Sequence, residues 1–493
     1  MSSSQSNGSS APKGLTKDNI NPAVLEVSYA VRGELALKAD KYAHQLADGE
    51  GSDLPFDRVV TANIGNPQQK GLDQRPITFW RQVISLLEYP ALMEEHIELA
   101  KKMYPEDAIA RAKSLHEEIG SVGAYTHSKG ILGIRKRIAK YIEERDGYAA
   151  DPESIFLTAG ASAGVSLLMG VALQKGDGVM IPIPQYPLYT ATLAYLSATP
   201  LPYYLDESGG WSMSLDSLKK TISDARGSNT PTKALVIINP GNPTGGCLAE
   251  DSMRDVVQLC YDEGILLMAD EVYQANIFEP ESKPFVSFKK VVRSMSKEVA
   301  EGTQLVSFHS ISKGTSGECG RRGGYFELTN MREEVVEQIY KMASIMLCPP
   351  VTGQVGVDLL VAPPKKGDPS YELWHTETST TLANLKSRSQ LMSDRFNALP
   401  GMSCQPADGA MYLFPQIEMP QRALDEAKKR GKQPDVMYTL DLLDATGICA
   451  VAGSGFGQAP DSYHIRVTAL CPGTEEYIGK IEQFHKDFMS KYQ

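Results

Sequence analysis

The segment His309-Ser-Ile-Ser-Lys-Gly314 places a lysine directly after a short apolar run. A lysine amine can form a covalent imine with an aldehyde when its surroundings favour the uncharged form. Small residues flank Lys313 and leave room for a bulky partner. Most lysines are solvated surface residues, so the chemical interpretation of Lys313 depends on the groups that the fold brings beside it.

A carboxylate, Asp270, follows a second apolar run, Ile265-Leu-Leu-Met-Ala269. Removing a carboxylate from water is costly unless a positive charge pairs with it. A protonated ring nitrogen of a bound heterocycle would supply that charge. Tyr273, three residues further on, could reach the same ligand.

An anion-binding turn is predicted at Gly160-Ala-Ser-Ala-Gly164, which leads from a strand into a helix. Backbone N–H groups and the helix dipole at such a turn attract a phosphate, and the Ser162 hydroxyl adds a donor. Arg322 and Ser310 are candidates for the charge and for a second hydroxyl. Tyr186 follows another strand and could lie against the face of a ring. A lysine, an acid, an aromatic ring and a phosphate site are the groups that pyridoxal 5'-phosphate requires.

These residues belong to a series of alternating strands and helices between about residues 151 and 313. The near-continuous apolar strands are typical of a parallel sheet buried on both faces. Strands are predicted at residues 155–158, 178–183, 234–238, 265–269 and 305–308, and helices at 161–174 and 251–262. Ligands bind at the carboxyl ends of the strands in such sheets, so the polar clusters that follow four of them are expected to form one site. The clusters are residues 160–162, 239–242, 270–273 and 310–313.

Three motifs, in this order, resemble those of the fold-type I aminotransferases, which are pyridoxal-phosphate enzymes: Asn239-Pro-Gly-Asn-Pro-Thr-Gly245, Asp270-x-x-Tyr273 and Ser310-x-Ser-Lys313. The resemblance implies an α/β fold with a large domain on a mostly parallel sheet and a smaller α+β domain. It implies three catalytic residues: Lys313 bonded to the cofactor aldehyde, Asp270 paired with the ring nitrogen and Tyr273 bonded to the ring hydroxyl. The other cofactor-binding residues that it implies are Ala161, Ser162, Tyr186, Asn242, Ser310, Arg322 and Tyr125, the last reaching the phosphate of a neighbouring subunit.

Four longer segments are similar to the alanine aminotransferases within this family, and the similarity spans from about Gly14 to the C-terminus. The segments are Asn63-Ile-Gly-Asn-Pro-Gln68, Arg75-Pro-Ile-Thr-Phe-Trp80, Gln185-Tyr-Pro-Leu-Tyr-Thr-Ala191 and Gly317-Glu-Cys-Gly-Arg-Arg-Gly-Gly-Tyr325. The resemblance implies ping-pong transfer of an amino group from L-alanine to 2-oxoglutarate, giving pyruvate and L-glutamate, in a homodimer with shared active sites. The implied substrate-binding residues are Arg466, which holds the α-carboxylate, Asn242 and Gly65. A glutamate–glyoxylate or an aromatic or kynurenine aminotransferase is the alternative.

Two arginines, Arg321 and Arg322, precede Gly323-Gly324, where related enzymes usually have one. The Gly-x-Arg-Gly-Gly spacing favours Arg322 as the phosphate ligand, with Arg321 as the alternative. The direction in which each side chain points decides between them.

Three other interpretations fit the sequence less well. Ser310-x-x-Lys313 also fits the acyl-enzyme pattern of penicillin-binding proteins, but neither Ser-Asp-Asn nor Lys-Thr-Gly accompanies it. His116-Glu117 begins like a zinc-peptidase helix, but residue 120 is Gly instead of His. A catalytically inactive binding protein on this scaffold would be expected to have lost Lys313 or Asp270. No metal ligands are predicted.

The chain has 493 residues, enough for two or three domains. We predict a flexible tail at residues 1–14, an N-terminal arm with part of the small domain at 15–100, a large cofactor-binding domain at 101–370 and a C-terminal small domain at 371–493.

Lys and Arg number 49 against 60 Asp and Glu, which argues against nucleic acid or an anionic membrane as a partner and favours small-molecule substrates. No apolar run approaches the roughly 18 residues of a spanning helix. The seven cysteines include no Cys-x-x-Cys pair, so we predict a reducing compartment: the cytoplasm or, alternatively, the mitochondrial matrix.

Overall fold

A seven-stranded sheet forms the centre of the computed structural model, which describes residues 14–29, 33–63 and 65–493. The predicted flexible tail at residues 1–14 lies outside the described residues, apart from Gly14. In chain order the strands of the sheet are β1 (Ile155–Thr158), β2 (Gly178–Ile183), β3 (Thr199–Tyr204), β4 (Thr232–Ile238), β5 (Leu266–Asp270), β6 (Leu305–Ser310) and β7 (Gly324–Thr329).

The strand order is β1-β7-β6-β5-β4-β2-β3. β7 is antiparallel to both of its neighbours, whereas the other pairs are parallel. Six strands therefore run in one direction and end at the same edge of the sheet. The predicted α/β fold with a mostly parallel sheet is confirmed.

Helices cover both faces of this sheet, because its strands are apolar on both faces. Leu235 and Ile237 of β4 contact one apolar cluster, and the alternating Ala234 and Val236 contact another. The helices on the first side are Leu215–Gly227, Glu250–Glu263 and Phe288–Ser294. The helices on the second side are Ala161–Ala172, Leu188–Leu196 and Glu333–Ile345.

The strands β3 and β7 were not predicted from the sequence. β3 is an edge strand that contains Pro200 and Pro202, both exposed. Proline lacks the N–H that a central strand needs, so an edge is where a strand tolerates it. β7 contains Glu327, which is buried against Lys289 with 2.5 Å between carboxylate and ammonium.

The chain after residue 371 packs around an apolar cluster that also includes Ala62, Val272, Tyr273 and Phe278. Its helices are Tyr371–Asn397, Gln421–Lys429, Pro434–Thr446 and Thr474–Tyr492. Its short strands are Met402–Ser403, Tyr412–Leu413, Gln416–Ile417, Ile448–Cys449, Val451–Ala452 and Ile465–Thr468. The strand Val60–Thr61 pairs in parallel with Ile448–Cys449, so the N-terminal segment joins this part of the molecule.

Another group of helices packs together beside β1. Its members are Thr78–Glu88, Glu106–Ile119, Leu132–Asp146 and Val351–Val361. The remaining described α-helices are Pro22–Leu25, Glu34–Ala47, Ile97–Met103 and Lys297–Gly302. Within the described ranges, no helix combines the length and the apolar character needed to cross a membrane.

Candidate active site

A cavity of about 420 Å³ lies at the carboxyl edge of the sheet, in the size range of cofactor sites. Each of the four predicted polar clusters contributes to its lining. The predicted site residues that line it are Gly65, Ala161, Ser162, Tyr186, Asn242, Asp270, Tyr273, Ser310, Lys313, Arg322 and Arg466. Tyr125 is not among the described residues that line the cavity, and it is 80% exposed.

The amine of Lys313 points into this cavity from the loop after β6. Its Nζ donates a hydrogen bond to the backbone oxygen of Gly65, 2.7 Å away. A Cβ at residue 65 would overlap the Tyr412 hydroxyl and crowd the Lys313 amine, so only glycine fits there. Burial raises the pKa of the Tyr412 phenol, but the positive charges of Lys313 and Arg466 outweigh it, and the pKa of Tyr412 is lowered.

Asp270 is buried at the end of β5, with each carboxylate oxygen held by one donor. The Tyr189 hydroxyl donates to Oδ2 at 2.7 Å, and the Val272 N–H donates to Oδ1 at 3.4 Å. Burial raises the pKa of Asp270, and the Tyr189 hydrogen bond and the charge of Lys313 counteract it only in part. A cationic partner in the cavity would restore the charged form.

The anion-binding turn is formed by Gly160 and the first turn of the helix Ala161–Ala172, whose N-terminus faces the cavity. Gly160 has φ of +82°, and a Cβ there would collide with the guanidinium of Arg322. Arg322 donates from Nη2 to the Ala159 oxygen at 2.9 Å, and the Ser162 hydroxyl lies 3.4 Å from the same nitrogen. Helix N–H groups, a hydroxyl and a guanidinium therefore converge as a phosphate site requires.

The two adjacent arginines point in different directions. Arg321 donates from Nε to the Glu318 carboxylate at 2.9 Å and forms an ion pair there, whereas Arg322 lines the cavity. Arg322 has φ of +56°, in the left-handed region that side chains rarely adopt. The geometry therefore favours Arg322 over Arg321 for binding an anion in the cavity.

Arg466, on the strand Ile465–Thr468, is only 1% exposed and lies between two aromatic rings. Its Cζ is 4.1 Å from the ring centre of Tyr412 and 4.6 Å from that of Phe456. Nη1 donates to Asn242 Oδ1 at 3.0 Å, and Nη2 donates to the Asn63 backbone oxygen. The Nε has no hydrogen-bond partner among the described residues. An unpaired buried donor is costly, so this edge is suited to a ligand carboxylate.

Tyr273 and Tyr186 supply aromatic walls of the cavity. Tyr273 lies edge-on to Tyr412, with ring centres 6.2 Å apart, and burial raises its pKa well above the usual value. The Tyr186 hydroxyl lies 2.6 Å from the Tyr29 hydroxyl, and burial likewise raises the pKa of Tyr186. Both phenols therefore stay protonated and can donate hydrogen bonds at neutral pH.

Sequence reasoning missed several residues at this cavity. Tyr29, Ser312 and Tyr412 line it, and Tyr189 binds Asp270 from behind. Tyr189 lies within the segment Gln185–Ala191, whose similarity to alanine aminotransferases is visible in the sequence. Tyr29 carries no motif signal, because only tertiary packing brings it to the site.

The donor set of the cavity fits pyridoxal phosphate. The helix N-terminus and Arg322 suit a phosphate, and the buried Asp270 suits a protonated ring nitrogen. Arg466 lines the same cavity as Lys313, and its guanidinium suits a substrate carboxylate. The site thus provides an amine, an acid and two anion-binding positions.

Comparison with known proteins places this geometry in a family. The family model "Aminotransferase class I and II" matches residues 96–481. The chain is 47% identical to the probable mitochondrial alanine aminotransferase of Dictyostelium discoideum, over 98% of this chain and 90% of the relative. It is 46% identical to glutamate–glyoxylate aminotransferase 1 of Arabidopsis thaliana, over 98% of each chain. The solved alanine aminotransferase of Pyrococcus furiosus, 24% identical, superposes with a TM-score of 0.74 over 95% of this chain and 100% of the other, which shows a common fold.

Proposed function

Because this chain belongs to the class I and II aminotransferases, we propose that it transfers the amino group of L-alanine to 2-oxoglutarate, giving pyruvate and L-glutamate. The observation that carries the proposal is a lysine amine, Lys313, on the same cavity as Arg466, whose buried Nε lacks a partner within the described chain. Pyridoxal phosphate is the cofactor of this family. When bound, it supplies an aldehyde and an electron-withdrawing ring that stabilises negative charge at the substrate α-carbon.

We assign the cofactor-binding roles from the positions of the side chains. Lys313 would bond the aldehyde, Asp270 would pair with the ring nitrogen and Tyr186 would lie against the ring. The ring hydroxyl would be bound by Asn242 and Tyr273. The phosphate would be held by Ala161, Ser162, Ser310 and Arg322, which line one side of the cavity.

The substrate would be oriented by Arg466. A guanidinium binds a carboxylate through two parallel hydrogen bonds, and every amino acid and 2-oxo acid substrate carries an α-carboxylate. Fixing that group sets the direction of the bond between the α-carbon and its hydrogen. Once the substrate amine has replaced Lys313 at the aldehyde carbon, the freed Lys313 amine would take the proton from the substrate α-carbon as a base and deliver it to the aldehyde carbon of the cofactor as an acid. Release of one oxo acid before the second binds gives ping-pong kinetics.

The charges of the cavity support a short apolar amino donor. Among the described lining residues the cationic side chains are Lys313, Arg322 and Arg466, and the roles above use all three. A methyl side chain, as in L-alanine, requires no further cation, whereas the distal carboxylate of L-glutamate or 2-oxoglutarate finds none left among these lining residues. A glutamate–glyoxylate activity is the alternative, and it is favoured by the name of the Arabidopsis relative.

A donor and acceptor panel tests this proposal. The purified chain, loaded with pyridoxal phosphate, is mixed with single amino acids, and the conversion of the bound cofactor to its amino form is followed by absorbance. L-alanine and L-glutamate should convert it rapidly, and L-phenylalanine and L-kynurenine slowly. Steady-state rates with 2-oxoglutarate should exceed those with glyoxylate. Slow conversion by L-alanine would contradict the proposal.

The assembly we propose is a homodimer with shared active sites. An exposed apolar patch surrounds Tyr125 and consists of Tyr125, Tyr340, Ile345, Met346 and Leu347. The two segments that carry these residues contact each other: His127 stacks on Tyr340 with ring centres 5.5 Å apart, and the Thr126 N–H donates a hydrogen bond to the Cys348 sulfur. Large exposed apolar patches mark interaction surfaces. From such a patch Tyr125 would reach the cofactor phosphate of a second copy.

Light scattering tests the dimer. Met346→Glu should produce monomers with weakened cofactor affinity, whereas Leu99→Glu, at another exposed apolar position, should leave a dimer. Tyr125→Phe should keep the dimer and lower cofactor affinity alone. A Met346→Glu variant with unchanged mass and affinity would contradict the proposed interface.

The compartment remains a prediction. We propose the cytoplasm, with the mitochondrial matrix as the alternative that the name of the Dictyostelium relative favours. Imaging of a fluorescent protein fused to the C-terminus tests this. A signal confined to mitochondria would overturn the cytoplasmic assignment.

A further inference from the structure

The roles proposed for the active-site residues do not include the hydrogen bond between Tyr189 and Asp270. Tyr189 lies on the helix Leu188–Leu196, which follows β2, and its side chain is fully buried in the apolar cluster on that face of the sheet. Its hydroxyl donates to Asp270 Oδ2 at 2.7 Å. The bond therefore joins the packing of a helix to the buried acid of the cavity.

The geometry leaves one oxygen of Asp270 available. Oδ2 accepts the short bond from Tyr189, and Oδ1 accepts only a long one, 3.4 Å, from the Val272 N–H. A hydroxyl that donates to a carboxylate favours its charged form and restricts its rotation. The titratable groups that face Asp270 are Tyr189, from the helix after β2, and Lys313, from the loop after β6.

We propose that Tyr189 is a positioning residue, which favours the ionised form of Asp270 and aims its more weakly bonded oxygen, Oδ1, at the ring nitrogen of the cofactor. This inference rests on the proposed function, because it assigns Asp270 to that nitrogen. Tyr189 itself is not among the described residues that line the cavity. Its effect reaches the ring through the carboxylate.

Tyr203 provides a matched control. It is also fully buried, on β3, and its hydroxyl donates to the Val236 backbone oxygen at 2.8 Å. Tyr203→Phe and Tyr189→Phe each remove one buried hydroxyl of the same size and one hydrogen bond. Only Tyr189→Phe removes a donor from Asp270, so a purely structural role predicts the same behaviour for both variants.

The experiment titrates the apo form of each full-length variant with pyridoxal phosphate and then titrates the absorbance of the bound cofactor with pH. Tyr189→Phe should weaken cofactor affinity severalfold, because Asp270 loses the donor that favours its charged form and restricts its rotation. The midpoint of its absorbance titration should move to higher pH, because Asp270 then takes more of the proton that it shares with the ring nitrogen. Tyr203→Phe should change neither quantity. Equal affinity and equal midpoints in the two variants would overturn the proposal.

Two further measurements separate the possible failures. In an Asp270→Asn background, Tyr189→Phe should have little additional effect on affinity, and a full additive loss would contradict action through Asp270. If Tyr189→Phe does not fold, 3-fluorotyrosine placed at position 189 keeps the shape and strengthens the donor, so the midpoint should move to lower pH. An unchanged midpoint would again contradict the proposal. A wild-type protein that binds no pyridoxal phosphate would instead refute the proposed function.

Discussion

Replacing Arg466 by lysine keeps a positive charge in the cavity but removes the planar guanidinium. The native group lies between the rings of Tyr412 and Phe456, with Nη1 bonded to Asn242 and Nε unpaired within the described part of the chain. A substrate carboxylate bound there would accept charge-assisted hydrogen bonds from the guanidinium. A lysine ammonium is a point charge and cannot reproduce the paired geometry.

The expected loss follows from the hydrogen bond that lysine cannot make. A hydrogen bond to a charged group contributes about 1.5–3 kcal/mol, which corresponds to roughly ten- to hundredfold in a binding constant. The α-carboxylate is common to donor and acceptor, so KM should rise by this factor for both L-alanine and 2-oxoglutarate. Because the contact exists in the ground state and the transition state alike, kcat should change less.

Initial rates measure this effect, with pyruvate coupled to lactate dehydrogenase and each substrate varied in turn. Arg321→Lys is the control, because Arg321 forms an ion pair with Glu318 and is not among the described residues that line the cavity. It should leave both KM values unchanged. An Arg466→Lys variant with unchanged KM values would refute the assignment. A rise for 2-oxoglutarate alone would also refute it, since that result would place Arg466 at the distal carboxylate.

Three further predictions concern the acid, the phosphate site and a buried glutamate. Asp270→Asn should lower kcat at saturating cofactor by at least about 10²- to 10³-fold, the usual effect of removing a preorganised electrostatic contact; an unchanged kcat would contradict its role. Arg322→Lys should weaken cofactor affinity about tenfold in apo-protein titrations, and Arg321→Lys should leave it unchanged. Equal cofactor affinities in the two variants would contradict the assignment of the phosphate to Arg322. Burial raises the pKa of Glu271 from 4.5 to about 8, so the folded state holds a proton that the unfolded chain releases, and stability should fall as pH rises through this range. Glu271→Gln retains an acceptor for the Phe288 N–H and should lack the loss of stability that ionisation of Glu271 causes in the wild type. If stability fell equally with pH in the variant and the wild type, that result would contradict a buried, neutral Glu271.

The strands that were predicted correctly are those with continuous apolar runs. β1 and β2 begin and end at the predicted residues, and β4, β5 and β6 differ by at most two residues at either end. Sequence patterns did not predict a strand whose burial depends on contacts with residues distant in the chain. β7 buries Glu327 against Lys289, and no local pattern shows that this pair forms.

The site residues also fall into those that a sequence motif predicts and those that it does not. Those at strand ends carry motifs, and the parallel sheet brings them together as expected. Tyr29 and Tyr412 come from the N-terminal and C-terminal parts of the chain, so tertiary packing alone places them. The Gly-x-Arg-Gly-Gly spacing favours Arg322 over Arg321, whereas the left-handed backbone of Arg322 is not visible in the sequence.

The most direct test of the proposed function is the covalent bond between Lys313 and pyridoxal phosphate. The chain is incubated with the cofactor, reduced with borohydride and digested with trypsin, and the modified peptide is identified by mass spectrometry. We predict a phosphopyridoxyl group on Lys313, with loss of tryptic cleavage after that residue, and no such group in Lys313→Ala. A chain that carries the group only on other lysines, or that carries none, would contradict the proposed chemistry.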